Sequence, residues 1–291
     1  MVARKDIFSD KSLMEFLELD SRFPEVQNKP LMLVGSHTEN RSIMDFQWWP
    51  QSKMLFLVVS DLSTFIAKTS LFSFGKKKET VTTTGSLSGY LQTKKEGEIG
   101  DFHFEQQWWM NFPVAATALD WSPKMGIMVC GEDSGTLHFI KPSEADPKKY
   151  DELFFLKVHA ERITRIIIDE DKKVVYSISE DRKFKETSID KKRINNEFEV
   201  SSKRPNCMYV DKEQKVAYVG DAEGNVKVID LAKNPPTCVN NIKVNAKDSI
   251  SCIDVSGTQI FAACEATGKI LVYTLSEPKN SVQSFDSEIS A

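Results

Sequence analysis

The sequence has no cysteine pairs at metal-binding spacing, no phosphate-cradling glycine loop and no membrane-length apolar run. Its five cysteines, Cys130, Cys207, Cys238, Cys252 and Cys264, are odd in number and never form Cys-x-x-Cys. That argues against a zinc finger or a disulfide framework and fits a reducing, cytoplasmic setting. Only four histidines occur, His37, His103, His138 and His159, and none falls in a His-x-x-x-His, Glu-x-x-His or Cys/His cluster, so no metal site is expected. The glycines stand in turns without Gly-x-Gly-x-x-Gly or Walker-type spacing, so no nucleotide cofactor is expected either. Basic residues are slightly outnumbered, giving a net charge of −4. No overall positive field exists to draw in nucleic acid. No apolar run approaches the roughly 20 residues of a membrane span. The opening Met-Val-Ala-Arg-Lys-Asp leads into a mixed stretch, which predicts no secretory signal.

What is present is a repeat. The 291 residues are 41% hydrophobic and 27% charged, enough apolar content for a substantial core. The stretch Val174 to Glu186 reads as an apolar strand, a polar turn and a second strand. The same pattern returns at Ile127–Leu137, Val216–Val226 and Ile260–Ile270, with an earlier copy at Met54–Phe65. Taking Ser134, Asp181, Glu223 and Thr267 as the turns, successive copies lie 47, 42 and 44 residues apart. This matches the roughly 40–45-residue period of a four-stranded propeller blade. Leu62, the turn of the first copy, lies 72 residues before Ser134, which predicts an insertion.

The expected fold is therefore all-β, a propeller of about five four-stranded blades over residues 30–275. Residues 1–29 form an N-terminal extension in which Ser12, Leu13, Glu15, Phe16 and Leu17 suit a short capped amphipathic helix. The first blade is expected to take its strands from Ile43–Trp48, Met54–Ser60, Thr64–Ala67 and Leu71–Phe74. Residues 75–105, rich in Thr, Ser and Gly and bracketed by lysines, read as an exposed insertion, with a hairpin as one form it could take. Blade two then resumes at Trp108, and blade three runs from Leu153 to about Ser188. Residues 276–291 show little periodicity and read as a flexible tail. Leu31–Val34 is placed to supply the outer strand of the last blade and close the ring. Otherwise the propeller is incomplete, and another protein's strand or blade would complete it.

The turns resemble those of WD-repeat proteins. In blade three His159, Ser177, Ser179 and Asp181 match the His, Ser, Ser and Asp of that family's repeat, while its Trp is absent near Glu186 or Thr187. The resemblance implies that Asp181 and His159 hydrogen-bond across the blade with Ser177 between them. In blade four Glu223 takes the Asp place and Ile229 the Trp place; in blade five Thr267 and Tyr273 do. The shared polar network is therefore expected to be mostly lost, with local packing replacing it. More narrowly, Lys29–Leu33, Glu132–Thr136, His159–Thr164 and Tyr218–Val226 resemble the WD-repeat part of the WD-repeat-and-FYVE-domain family. That family's finger needs zinc-ligating cysteine pairs and a basic motif. Neither is in this sequence, so functions that rest on phosphoinositide binding by the finger are not implied.

Function follows from what the residues offer. Glu132–Asp133 and Glu180–Asp181 are adjacent carboxylates at turns, where neighbouring side chains diverge and turn capping is the ordinary role. Trp48–Trp49 and Trp108–Trp109 each put one indole inward and one outward on a regular strand, the outer one either lying under the insertion or forming part of an interaction surface. The expected function is a non-catalytic protein–protein interaction scaffold or adaptor. The resemblance adds membrane trafficking as the setting, and Arg162, Arg182 and Lys183 as the residues placed to touch a partner protein. Membrane contact through Lys76–Lys78, Lys94 and Lys95 would be peripheral at most. The alternative is a propeller enzyme or small-molecule binder using the central channel. It needs polar groups converging from several inner strands, and segments such as Ile163–Ile166 and Ile250–Ile253 supply only small or single ones.

Overall fold

The computed structural model describes residues 33–34, 41–49, 54–61, 85–94, 102–143, 149–244, 248–275 and 282–286. The expected helix of residues 1–29 and the expected strands Thr64–Ala67 and Leu71–Phe74 lie outside the described residues. Every regular element among the described residues is a β-strand. The chain divides into two compact units. One takes its described residues from Val2–Leu119 and Lys141–Asp151, the other from Asp120–Ile140 and Glu152–Ala291.

The first unit holds β1 (Leu33–Val34), β2 (Arg41–Trp49), β3 (Met54–Asp61), β4 (Gly85–Lys94) and β5 (Phe102–Phe112). They form one sheet in the order β1-β5-β4-β3-β2. Strands β2 to β5 pair antiparallel in sequence, and β1 adds parallel to β5 with Leu33 opposite Phe104. Three sequence expectations change here. Residues 75–105 are not wholly an insertion, since β4 lies inside the sheet between β3 and β5. Its alternation of Leu87, Gly89 and Leu91 with Ser86, Ser88 and Tyr90 is a strand period, muted by the glycine and serines. Trp108–Phe112 belongs to this sheet and does not open the next. And β1 does not supply the outer strand of the last sheet.

The second sheet is β6 (Ala116–Ser122), β7 (Ile127–Glu132), β8 (Thr136–Pro142) and β9 (Tyr150–Lys157), in that order. The third is β10 (Ile163–Asp169), β11 (Val174–Ser179), β12 (Lys183–Ser188) and β13 (Arg193–Glu199). The fourth is β14 (Pro205–Asp211), β15 (Val216–Asp221), β16 (Asn225–Asp230) and β17 (Thr237–Lys243). The fifth is β18 (Ile250–Ser256), β19 (Gln259–Cys264), β20 (Lys269–Thr274) and β21 (Val282–Asp286). Leu153 thus sits in the outer strand of the second sheet and does not begin the third. The expected loose tail supplies β21, whose Val282 and Phe285 pair with Tyr273 and Ile270. These outer strands are hard to see in sequence because they are edges. β13 alternates exposed and half-buried residues, and β17 is exposed along nearly its whole length. Edge strands are kept polar against unwanted pairing.

The turns repeat as closely as the strands. After the first strands of the second, third and fourth sheets a polar side chain caps the backbone three residues on. Ser122 Oγ accepts from Met125 N at 3.1 Å, Asp169 Oδ1 from Lys172 N at 3.1 Å and Asp211 Oδ1 from Gln214 N at 2.8 Å. Such side chains stand in for a backbone turn. The first strands also share a bulge, between Ile43 and Asp45, Ile163 and Arg165, Pro205 and Cys207, and Ile250 and Cys252.

Sheets three to five bury their apolar faces against one another. Tyr176, Ile178 and Phe184 of the third meet Met208, Ala217, Val219 and Ile229 of the fourth. Tyr218, Val226 and Val228 of the fourth meet Ile250, Ile253, Ile260 and Leu271 of the fifth. The middle strand β11 is therefore buried along all six residues, as a strand packed on both faces must be. Small residues let the sheets approach. A Cβ on Gly131 would stand 2.8 Å from Ile166 Cδ1, and one on Gly220 would stand 2.8 Å from Ile250 Cγ2.

Candidate interaction face

In sheets three to five the loop leading into the first strand is tied to the turn between the second and third strands. The backbone part is constant. Glu180 N donates to Arg162 O at 2.9 Å, Ala222 N to Arg204 O at 3.0 Å and Glu265 N to Ser249 O at 2.8 Å. The side-chain part varies, and the third sheet shows it most fully.

His159 Nδ1 lies 3.1 and 3.0 Å from the two Asp181 oxygens, and its Nε2 lies 2.8 Å from Ser177 Oγ. Asp181 also accepts from the N–H groups of Ala160 and Lys183, each at 3.0 Å. Ser179 Oγ accepts from Asp181 N at 3.1 Å and donates to Glu161 O at 3.0 Å. Burial pushes the Asp181 carboxyl up, but His159 and the two backbone donors outweigh it and hold it well below the usual carboxylate range. Burial also lowers the His159 pKa, and the Asp181 hydrogen bond only partly opposes this. A neutral imidazole satisfies both contacts, with Nδ1–H donating to Asp181 and Nε2 accepting from the Ser177 hydroxyl.

Asp, His and Ser therefore stand in the order of a hydrolase triad. Access decides against that chemistry. Ser177 is 0% exposed and His159 2%, so no substrate carbonyl reaches the hydroxyl. The chain of bonds acts as a clamp.

The fourth and fifth sheets keep the clamp with other groups, and the expectation of local packing in its place is corrected there. In the fourth, Ser201 Oγ donates to Asp221 Oδ2 at 2.8 Å. Asp221 further accepts from the N–H groups of Glu223 and Asn225, both at 2.9 Å, and from Asn225 Nδ2. Glu223 occupies the turn place of Asp181, but Asp221, at the end of β15, carries the bonds. In the fifth sheet the polarity reverses. Asp248 on the incoming loop accepts from Ala266 N at 2.9 Å, Thr267 N at 3.0 Å and Thr267 Oγ1 at 2.7 Å. Burial works against its ionisation, yet the Thr267 hydroxyl and the N–H groups win and lower its pKa. One signal for Ser201 was in the sequence. It precedes Pro205 by four residues, as His159 precedes Ile163. Asp221 was hidden because it reads as the last residue of a strand.

The expected Trp place is filled by polar residues. Glu186 Oε1 accepts from Asn195 and Asn196 at 3.1 and 3.2 Å. Ser177 pairs across the strands with Lys185, a buried lysine whose Nζ reaches Glu197 Oε2 at 2.5 Å. In the second sheet His138 lies between two carboxylates, with Nε2 2.9 Å from Glu132 and Nδ1 2.5 Å from Glu152. Burial pushes its pKa down, but the two acids outweigh that and raise it.

The adjacent carboxylates diverge. Glu132 faces His138 while Asp133 faces Arg162 Nε at 3.9 Å; Glu180 faces Arg204 at 3.5 Å while Asp181 faces His159. Arg162, half-buried, thus bridges from the third sheet's incoming loop to the second sheet's turn. Arg182 is exposed with φ of 68°, at the turn position held by Gly135 and Gly224 in the neighbouring sheets, and its guanidinium is 4.0 Å from Glu199. Lys183 Nζ is 3.2 Å from Glu197. Arg162, Arg182 and Lys183 therefore share one side of the third sheet, each with an acidic neighbour. Among the described residues no group of three or more His, Cys, Asp or Glu side chains is arranged to hold a metal ion, and no helix is long and apolar enough to cross a membrane.

No family model and no curated protein matches the chain by sequence. Solved structures do. A WD-repeat propeller chain in the crystal structure of the Mitotic Checkpoint Complex superposes with a TM-score of 0.62 at 11% identity, covering 87% of this chain and 68% of that one. The fold is a WD-repeat-like β-propeller. The computationally designed Ika4 protein overlaps 56% of this chain and 92% of its own, at 17% identity and a TM-score of 0.47.

Proposed function

We propose that this protein is a non-catalytic adaptor that presents the loop-and-turn side of its blades to partner proteins. The observation that carries the reading is the repeated clamp between incoming loop and hairpin turn. It fixes three sets of loops on rigid sheets, each clamp with its own side chains and its exposed charges differently placed. A fixed, blade-specific pattern of Arg162, Arg182 and Lys183 beside Asp133, Glu199 and Glu197 suits recognition of a mixed-charge protein surface better than a polyanion. The buried Ser177–His159–Asp181 chain favours scaffold over hydrolase. The resemblance to WD-repeat-and-FYVE proteins supports membrane trafficking as the setting, and the five free cysteines support a reducing, cytoplasmic compartment as the place.

The test is affinity purification of the intact chain from its native cells after crosslinking. Wild type is compared with a variant carrying Arg162→Glu, Arg182→Glu and Lys183→Glu. The reading expects a reproducible protein partner whose recovery falls about tenfold or more in the variant. Recovery of no partner by the wild-type chain counts against the adaptor role.

A further inference from the structure

The contacts between consecutive sheets follow a fixed scheme in the second unit, and the fifth sheet carries one half of that scheme with its apolar groups in the open. The bulged residues of β10 and β14 reach forward. Thr164 Oγ1 donates to Pro205 O at 2.9 Å, and Asn206 Nδ2 donates to Ile250 O at 3.2 Å. Thr164 Oγ1 also lies 3.3 Å from Ile178 O of its own sheet, and Ser251, at the same position in the fifth sheet, has only that own-sheet contact, to Ala263 O at 3.3 Å.

Registers place Ala263 opposite Cys252, as Gly220 lies opposite Cys207. Gly220 is where the following strand's Ile250 and Ile253 press in. Ile270 pairs with Ala263 as Phe184 pairs with Ile178 and Val226 with Gly220. Phe184 and Val226 are each 0% exposed under the following sheet, whereas Ile270 is 40% exposed. Phe261, in the place of Tyr176 and Tyr218, is half-buried, and Cys252 is exposed where Cys207 is buried.

Charge completes the scheme. Asp133 and Glu180, one residue beyond the ends of β7 and β11, each meet the arginine just ahead of the following first strand, Arg162 and Arg204. The fourth sheet has Ala222 there, and its follower carries Ser249 instead of an arginine. The fifth sheet restores the acid as Glu265, which is exposed.

The geometry points to a docking face on the fifth sheet, made by Ser251, Cys252, Phe261, Ala263, Glu265 and Ile270, for a β-sheet of a different protein. The occupant's leading strand begins with Arg followed by a β-branched residue, with a second apolar residue three positions on, as in Arg162-Ile163-Thr164-Arg165-Ile166. Its guanidinium meets Glu265, its apolar residues cover Ala263 and Ile270, and its first carbonyl accepts from Ser251. This names a partner class and a surface for the adaptor reading, and rests on it.

The experiment places a photo-crosslinking residue at position 270 of the full chain in its native cells, with position 239 on exposed β17 as control, and maps the crosslinked peptides. Maleimide labelling of Cys252 against Cys238, also exposed, runs on the same material. The expected result is a crosslink from 270 to a strand of another protein with that Arg-led apolar pattern. Cys252 is protected in the complex while Cys238 labels at its rate in the isolated chain. Recovery of that protein falls about tenfold with Glu265→Lys and with Ile270→Asp, both at exposed positions. Crosslinks that map only to this chain or a second copy of it, or the absence of a crosslink with Cys252 labelling as fast as in the isolated chain, overturn the proposal. If partners are recovered but respond only to the Arg162, Arg182 and Lys183 changes, this face is wrong and the adaptor reading stands. If none is recovered, the adaptor reading fails too.

Discussion

Nδ1 of His159 lies 3.0 Å from Oδ2 of Asp181, so the loop that enters the third sheet and the turn that leaves its second strand move as one piece. The bond spans 22 residues of sequence. It is supported on both sides, by Ser177 behind the imidazole and by two backbone N–H groups on the carboxylate.

Asp181→Ala should therefore destabilise the protein by about 1–3 kcal/mol. It leaves the buried His159 Nδ1 without its acceptor, while the exposed Ala160 N–H and half-buried Lys183 N–H can turn to water. Urea unfolding followed by tryptophan fluorescence measures it. A midpoint equal to that of the wild type would show that the bonds carry no net stability.

The two histidines with shifted pKa values should act on stability in opposite directions. His159 is lowered in the fold. The unfolded chain therefore takes up its proton first, and stability falls as pH drops below the unfolded value of about 6.5. His138 is raised, so its contribution is fully present below about 6.5 and is lost as pH rises through the folded value. Asp181, held low by its donors, adds a further loss in acid below the unfolded carboxylate value of about 3.9. Unfolding free energy measured from pH 4 to 9 on His138→Gln and His159→Gln should show the alkaline slope reduced in the first and the slope below 6.5 reduced in the second. Parallel curves for both variants would contradict the assignment.

Arg182 sits at φ of 68° where Gly135 and Gly224 sit in neighbouring sheets. A side chain in that region carries a penalty of roughly 1–2 kcal/mol, which the greater chain entropy of unfolded glycine offsets in part. The exposed Arg182–Glu199 pair at 4.0 Å adds little. Arg182→Gly should raise stability by up to about 1 kcal/mol while removing a charge from the proposed partner-binding side. Stability gained together with weakened partner recovery would mark Arg182 as a residue held in strain for recognition. Lower stability would mean that its side-chain contacts outweigh the backbone term.

Much of the fold was legible because its signal is carried by the middle strands. Val174–Ser179 and Val216–Asp221 are buried on both faces and so read as short apolar runs between polar turns, spaced at a blade's period. The outer strands were not legible, since Arg193–Glu199, Thr237–Lys243 and Val282–Asp286 are edges that must look like loops to stay soluble. The His159–Asp181 pair could be found because it keeps familiar residue types at familiar places. Ser201–Asp221 and Asp248–Thr267 do the same physical task, but donor and acceptor have changed sides or shifted two residues. A hydrogen bond requires only complementary atoms at the right distance, so the clamp survives substitutions that erase the motif.

The last prediction compares two positions that are equivalent in the repeat. Gly220 and Ala263 both lie opposite the residue after the first-strand bulge. At Gly220 a Cβ alone would meet Cys207 Sγ at 2.7 Å, Ile250 Cγ2 at 2.8 Å and Ile253 Cδ1 at 2.9 Å. Gly220→Val must therefore push the fifth sheet away from the fourth, at a cost of about 1–3 kcal/mol or more for overpacking. Ala263 is half-buried beside exposed Ile270, so Ala263→Val has room and should change stability by less than about 0.5 kcal/mol in the isolated chain. Thermal unfolding of the two variants separates the cases. If Ala263→Val also destabilises by more than about 1 kcal/mol, something already packs against that face. If it is silent alone but weakens partner recovery, the face is occupied only in the complex.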